Sequence, residues 1–281
     1  MKKVFNLLMM AVIATAFVSC GGGKKNPAAA GDVKSEKSSD ACCDKTKSGD
    51  AASENTAPNT LSEQEKVDGW ELLFDGQTTN GWRGYNKSTV PTNWKVEDGA
   101  LSFKGSGQGE AGDKNAGGDI IYDKEFDNFT IKFEWKISAG GNSGVFYLGK
   151  EVEGWPLYKT APEYQILDNE KHPDAKLGKN GNRQSASLYD LIPANPQNAK
   201  PVGEWNTGEI MVYRGTVTHK QNGKVVLEYH LWTDDWKALV KDSKFPGLNP
   251  DWADVPKKGF FGFQDHGDDV WYRSVKYLDM N

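Results

Sequence analysis

Between Trp70 and Tyr277 hydrophobic and polar residues alternate mostly with a period of two, and Gly or Asn-Gly breaks recur at short intervals, which predicts many antiparallel strands. The segment from Phe129 to Ile137 is the cleanest. Phe129, Ile131, Phe133, Trp135 and Ile137 share one face, with Thr130, Lys132, Glu134 and Lys136 on the other. The first set is expected to be core, which leaves Glu134 outside it. Asn222-Gly223, lying between Val217–Gln221 and Lys224–Tyr229, marks a two-residue hairpin, because a type I′ turn needs positive φ at both central positions. That register pairs Gln221 with Lys224 and His219 with Val226, so His219 and Glu228 fall on one face. Only Asp234–Val240 and Pro173–Lys176 suggest helix, and both are short. Many strands with little helix imply an all-β fold, a jelly-roll sandwich of two antiparallel sheets. The terminal strands near Trp70–Phe74 and Val270–Leu278 are expected to pair, and one curved sheet to offer a concave outer face to a polar ligand.

The pattern changes abruptly upstream. Lys2 and Lys3 precede an apolar run from Val4 to Val18, nearer a signal-peptide core than the ~20 residues of a membrane span. It ends Phe17-Val18-Ser19-Cys20-Gly21, which resembles a bacterial lipobox whose cysteine becomes the lipidated first residue. Residues 21–66 hold no aromatic and almost nothing to bury, so they read as a tether that cannot offset the entropy of folding. The expected organisation is a signal peptide over 1–19, lipidated Cys20 and a disordered tether over 20–66, and a jelly-roll catalytic domain over 67–281. Cys42 and Cys43 read as bystanders in the tether, and the folded part contains no cysteine, so core burial rather than disulfides must hold it. The expected location is the cell envelope of a bacterium, at the outer membrane and facing the periplasm, with the lipid anchor as the only membrane contact.

Charge and composition narrow the partners. With 34 Lys and Arg against 39 Asp and Glu, the net charge of −5 disfavours nucleic acid. Gly105-x-Gly107-x-Gly109 sits among Ser, Gln and Glu without a following helix, so it reads as loop rather than a dinucleotide site.

Several segments carry polar residues that a purely structural strand would not need: Gly141–Phe146, Glu163–Asp168 with His172 beyond, Ser187–Asp190, Val217–His219, and Gly262–Gly267 leading to Arg273. Three of the four histidines, His172, His219 and His266, lie in or beside them, and His is the usual proton-transfer group near neutral pH. His230 reads as structural. Glu163-x-Gln165 invites comparison with glycosidases that alternate carboxylates along a strand. Its face, however, carries Glu163, Gln165 and Leu167, one carboxylate where a retaining mechanism needs two about 5 Å apart.

Trp70–Gly76 with Trp82, Asn142–Phe146, Glu163–Asp168, Gly203-Glu-Trp-Asn206, His219 with Asn222-Gly223, and Gly262–Gly267 through Arg273 together resemble the 3-keto-disaccharide hydrolase family, also described as 3-keto-glycoside 1,2-lyase and 3-keto-2-hydroxyglucal hydratase. The resemblance runs from about residue 67 to 281. It implies a concanavalin/LamG-like jelly roll, common among bacterial lipoproteins, and an enzyme acting on sugars already oxidised at C3 by a separate dehydrogenase. Such a ketone acidifies the C2 proton, so a base removes it while the C1 aglycone leaves, and water then adds to the 2-hydroxyglucal to give 3-ketoglucose. Residue type and parity suggest Glu163 or His219 as the base, His266 or a divalent cation as polariser of the ketone, and Tyr189 or His172 assisting departure. Glu134, Asn142, Gln165, Asp168, Asp190 and Arg273 are candidates to hold sugar hydroxyls, and Trp155 or Trp252 to stack on a ring face. No cofactor is required. His with Glu or Asp on neighbouring strands would suit a divalent metal, although no contiguous His-x-Glu-x-x-His spacing demands one. The same fold would also serve a carbohydrate-binding lipoprotein without turnover, or a hydrolase of unoxidised glycans.

Overall fold

The computed structural model describes residues 57–106 and 117–281, so Cys20, Cys42, Cys43 and the expected signal peptide lie outside the described residues. Two antiparallel sheets form. One runs in the order β11 (Lys224–His230), β10 (Thr216–Gln221), β9 (Asn206–Tyr213), β6 (Phe129–Ile137), β13 (Val270–Asp279), β4 (Ala100–Phe103) and β3 (Trp94–Glu97), with β1 (Glu71–Leu72) also on β13. The other runs β2 (Trp82–Gly84), β5 (Ile120–Phe126), β12 (Gly259–Phe263), β7 (Asn142–Gly149) and β8 (Glu163–Leu167). The expected all-β sandwich, the pairing of the terminal strands and the Asn222-Gly223 hairpin are all present.

Alternation explains why the sheets face each other. Phe129, Ile131, Phe133, Trp135 and Ile137 of β6 are buried, while Lys132, Glu134 and Lys136 are half-buried on the outer face. From the five-stranded sheet, Val145, Tyr164, Ile166, Phe261 and Phe263 meet them in one cluster. Each such side chain contributes about 1.5–3 kcal/mol on leaving water. Aromatic stacking spans the gap between sheets, with the Phe263 and Tyr272 rings 3.8 Å apart and 9° from parallel.

Two expectations are corrected here. The folded body begins before residue 67. Ser62 caps the helix α1 (Glu63–Asp68) in a reciprocal box with Glu65, and Glu65 pairs with Lys276 at 2.6 Å. Asn59 donates to Ser274 Oγ and Gly99 O, and its Oδ1 accepts the Ser274 N–H at 2.7 Å. That N–H is available because β13 shifts register between Arg273 and Lys276, where Ser274 adopts φ 51°. His219 is the second correction. A bulge between His219 and Lys220 pairs His219 with Leu227 rather than Val226, and the ring lies fully inside the sandwich.

Helix is scarce among the described residues: besides α1 there is α2 (Asp234–Lys241), and Leu157–Lys159, Pro173–Lys176 and Phe245–Gly247 each form a short 3₁₀ turn. The outer face of the five-stranded sheet is partly covered, as Tyr85, Ile121, Phe146, Leu157 and Ala161 form a second small apolar cluster. Next to that cluster the face turns polar.

Candidate functional site

β8 sends Tyr164 and Ile166 into the core and Glu163 and Gln165 to the outer face. Glu163 lies opposite Phe146 and Gln165 opposite Gly144 on β7. The Glu163 side chain crosses over Gly144, so that a Cβ built there would stand only 2.7 Å from the carboxyl carbon. Glycine is what lets the acid lie flat against the sheet at 7% exposure. The outer edge of β8 is closed by the chain after Arg183: Ala186 N–H donates to Gln165 O, Gln165 N–H to Ser187 O, and Tyr189 N–H to Glu163 O at 3.1 Å. This ladder sets Tyr189 beside Glu163. On the β7 side, Gln264 N–H donates to Gly144 O at 2.9 Å, carrying Gln264 and then His266 to the same hollow.

Tyr158 and the segment from Lys244 to Leu248 complete a cavity of about 250 Å³. The two wall segments are tied together, since Asn249 Nδ2 donates to Lys159 O and Trp252 Nε1 to Tyr158 O, while Phe245 stacks on Trp252 at 3.9 Å. Among the described residues lining the cavity, Glu163 is the single carboxylate. Asn142 and Gln264 also line it, and each leaves a buried amide oxygen without a donor.

A charged network stands along one wall. Tyr189 Oη donates to Asp174 Oδ2 at 2.8 Å and accepts from Lys244 Nζ at 3.1 Å. Arg183 bonds Asp174 at 2.7 Å and Asp190 at 2.5 Å. Burial, with the nearby Glu163 and Asp174 charges, pushes the Tyr189 hydroxyl well above its ordinary range. Burial lowers the Lys244 ammonium, and Arg183 adds to that, against the pull of Asp190, Glu163 and Asp174.

At the other end, His266 and His172 meet edge to face at 5.9 Å, and Asp268 lies 3.9 Å from His266 Nδ1. Asp268 also accepts the Asn142 N–H at 3.1 Å, which fixes the start of β7. Burial and the neighbouring His266 lower the His172 pKa below 6.5. The ligand atoms of these three residues lie within 4.8 Å of one another, a donor set of the type that divalent transition metals take. His172 Nδ1 already accepts the Asp174 N–H at 3.1 Å, so the neutral ring carries its proton on Nε2. His172 would join a cation only by giving up that bond.

The cavity therefore gathers Glu163, Gln165, Asn142, His266 and Tyr189 from the residues predicted by type, with His172 behind His266. The others are elsewhere. His219 accepts or donates at both ring nitrogens, to Tyr147 Oη at 2.8 Å and Ala186 O at 3.0 Å, and burial lowers its pKa to about 4, so it has no route to a substrate. Glu134 and Arg273 lie on the outer face of the eight-stranded sheet, paired with each other at 2.7 Å, with Arg273 over Trp205 at 4.0 Å. The Asp168 carboxylate is spent on the Gly140, Glu170 and Lys171 N–H groups of its own turn. Asp190 pairs with Arg183 and lines a neighbouring cleft. Trp155 lines a separate depression, and Trp252 is buried. Sequence reasoning missed Gln264 within a motif it had singled out, and Lys244, Phe245 and Leu248 entirely. The last three reach the cavity through a loop after α2 that carries no periodic signal.

The chain matches the profile of the 3-keto-alpha-glucoside-1,2-lyase-like domain over residues 69–277. It is 50% identical to the 3-keto-disaccharide hydrolase of Bacteroides thetaiotaomicron over 299 aligned positions, covering 99% of this chain and 100% of the relative. Among solved structures, a candidate glycosyl hydrolase from Parabacteroides distasonis ATCC 8503 superposes with a TM-score of 0.70 at 31% identity, covering 80% of this chain and 100% of that one. A second from the same organism gives 0.53 at 26% identity, over 72% of this chain and 100% of that one.

Proposed function

Because the chain belongs to the 3-keto-alpha-glucoside-1,2-lyase-like family, we propose that it cleaves 3-keto-glycosides by elimination and then hydrates the product to 3-ketoglucose. The observation that carries this reading is the solitary, nearly buried Glu163 in a hollow whose other described lining residues are amides, phenols, one lysine, one histidine and the apolar Phe245 and Leu248. Direct hydrolysis by the usual routes employs two carboxyl groups about 5–9.5 Å apart. Elimination needs one base, because the ketone has already made C2 acidic.

In this mechanism Glu163 accepts the C2 proton and the electron pair is delocalised onto the C3 oxygen as an enolate. His266 donates to that oxygen, and such donors are worth most where water is excluded. The pair then forms the C1–C2 double bond as the C1–O bond breaks. The departing oxygen takes a proton from Tyr189, which is replenished from Lys244 Nζ at 3.1 Å. Glu163 releases the abstracted proton to solvent and Lys244 regains one from it; water then adds its hydroxyl to C1 while its proton passes through Glu163 to C2. Asn142, Gln165 and Gln264 hold ring hydroxyls, the first and last through amide oxygens that lack a donor. His266 and Asp268, with His172 once it releases Asp174, would hold a divalent cation, whose contribution would be Lewis-acid polarisation of the ketone. The ketone is supplied by a separate dehydrogenase, and the enzyme acts in the cell envelope, held through Cys20. Loss of membrane association in a Cys20→Ala variant tests that placement.

The deciding experiment supplies methyl 3-keto-α-glucoside and methyl α-glucoside in deuterated water, with and without chelator. The expected outcome is turnover of the keto compound alone, with deuterium at C2 of the 3-ketoglucose formed. Glu163→Gln should lower kcat by about 10²–10⁴ while retaining ligand. Product without label, or faster cleavage of the unoxidised glycoside, refutes the proposal. Binding without turnover by the wild type assigns a lectin role instead.

A further inference from the structure

The described residues that line the Glu163 cavity come from the five-stranded sheet, from short turns or from loops, yet a polar tie reaches the edge of the cavity from the eight-stranded sheet. His219 stands on β10, and the bulge that follows it turns its ring into the core. There it meets the run from Ala186 to Tyr189 that closes the outer edge of β8. Ala186 O can only accept, so His219 Nδ1, 3.0 Å away, carries a proton. Burial keeps the ring neutral, with its pKa lowered to about 4, which leaves Nε2 as the acceptor for Tyr147 Oη–H at 2.8 Å. Tyr147 Oη in turn accepts from Tyr229 Oη at 2.7 Å. The tautomer of His219 is thereby fixed. The bulge has a second use, because Lys220 O accepts from Tyr164 Oη at 3.1 Å, and Tyr164 lies between Glu163 and Gln165 on β8.

The run that His219 touches is conformationally strained. Ala186 and Asp190 have φ of 63° and 60°, left-handed for residues that carry a Cβ, and such conformations persist only where their surroundings over-determine them. Ala186 is held through both of its backbone polar groups, its N–H by Gln165 O at 2.8 Å and its carbonyl by His219. Three residues on, the Tyr189 N–H reaches Glu163 O at 3.1 Å and Tyr189 Oη accepts from Lys244 at 3.1 Å. Without the Nδ1–H, Ala186 O is left unpaired in the core, and rotating its peptide to find another donor drags Tyr189 with it. We infer that His219 is a positioning residue of the Glu163 site: by donating its Nδ1–H to Ala186 O it fixes the run that sets Tyr189, and with it the Lys244–Tyr189 pair, beside the acid. The consequence for rate rests on the elimination reading, whereas the placement of the run does not.

The test compares His219→Asn, whose amide reaches the place of Nδ1, with His219→Gln, whose amide reaches the place of Nε2, and with Tyr147→Phe, which breaks the same buried chain on its other side. Each loses a buried hydrogen bond, so all three should melt below the wild type. On methyl 3-keto-α-glucoside, His219→Gln should lose about 10–10²-fold in kcat with KM changed by less than about twofold, while His219→Asn and Tyr147→Phe stay within about threefold of wild type in both. The Ala186 and Tyr189 amides should exchange with deuterated solvent faster in His219→Gln than in the other two. Nitrogen NMR of the wild type, with the His219 signals identified as those that His219→Asn removes, should show the proton on Nδ1. Equal kcat in His219→Gln and His219→Asn, a Tyr147→Phe as slow as His219→Gln, or a wild-type proton on Nε2 overturns the inference, and the last does so even if His219→Gln fails to fold. If the wild type turns over no 3-keto glycoside, the elimination reading fails on its own. Amide exchange and the tautomer then decide the role of His219: faster exchange in His219→Gln with the proton on Nδ1 supports it, and equal exchange in the three variants refutes it.

Discussion

Gly144→Ala is the sharpest test of how Glu163, the proposed base, is placed. The added methyl carbon would stand 2.7 Å from Glu163 Cδ and 2.8 Å from Cγ, whereas carbon atoms in contact settle at about 3.5–4.0 Å. β7 is hydrogen-bonded on both sides, to β8 and β12, so the backbone cannot yield and the carboxylate must retreat by about 1 Å. A displacement of that size costs roughly 10²-fold in rate when the moved group is a reacting one. Overpacking itself costs about 1–3 kcal/mol, which in a domain of this size lowers Tm by roughly 2–4 °C per kcal/mol. The variant should therefore remain folded by circular dichroism, melt several degrees lower, and lose about two orders of magnitude in kcat on methyl 3-keto-α-glucoside, with KM changed far less. A folded Gly144→Ala protein with kcat within threefold of wild type would refute the claim that Glu163 reacts from the position seen here.

Other consequences are independent of that one. His219, neutral when folded with a pKa of about 4, gains a proton in the unfolded chain below its ordinary 6.5. Its contribution is therefore complete above pH 6.5 and is lost as pH falls towards 4, by up to about 3 kcal/mol, and urea titrations across that window should show a steeper loss in wild type than in His219→Gln. In the proposed elimination Lys244 must be protonated to supply the departing oxygen, and burial lowers its pKa below 10.5. The alkaline fall of kcat/KM should thus begin below pH 10.5 and vanish from the residual activity of Lys244→Met. A chain started at residue 67 loses the Asn59 contacts to Ser274 and Gly99 and the Glu65–Lys276 pair. It should melt several degrees below one started at 57, the equivalent of about 1–3 kcal/mol.

Period-two alternation was enough to read β6, the Asn222-Gly223 hairpin and the sandwich, because each depends on neighbours in sequence and on burial of one face. It also placed Glu163 and Gln165 together. The errors share a cause: alternation says that a side chain points outward but not from which sheet. Glu134 and Arg273 obey the pattern as well as Glu163 does, yet they stand on the opposite side of the molecule. His219 was misplaced by one extra residue in the ladder, since a bulge inverts parity without leaving a mark in composition. Lys244 was invisible because a loop, rather than a strand, delivers it. The early start of the folded body was legible in principle, as Ser62-x-x-Glu65 is a capping box, but the absence of aromatics in that stretch outweighed it.

The way the polypeptide joins the sandwich has a bearing on how it meets its surroundings. Pro58 and Glu65 rest against the eight-stranded sheet, beside Lys132 and Lys276, whereas Glu163 opens from the five-stranded one. The first described residues thus lie on the face of the sandwich opposite the Glu163 cavity, and a label placed at residue 57 would leave the opening of that cavity clear.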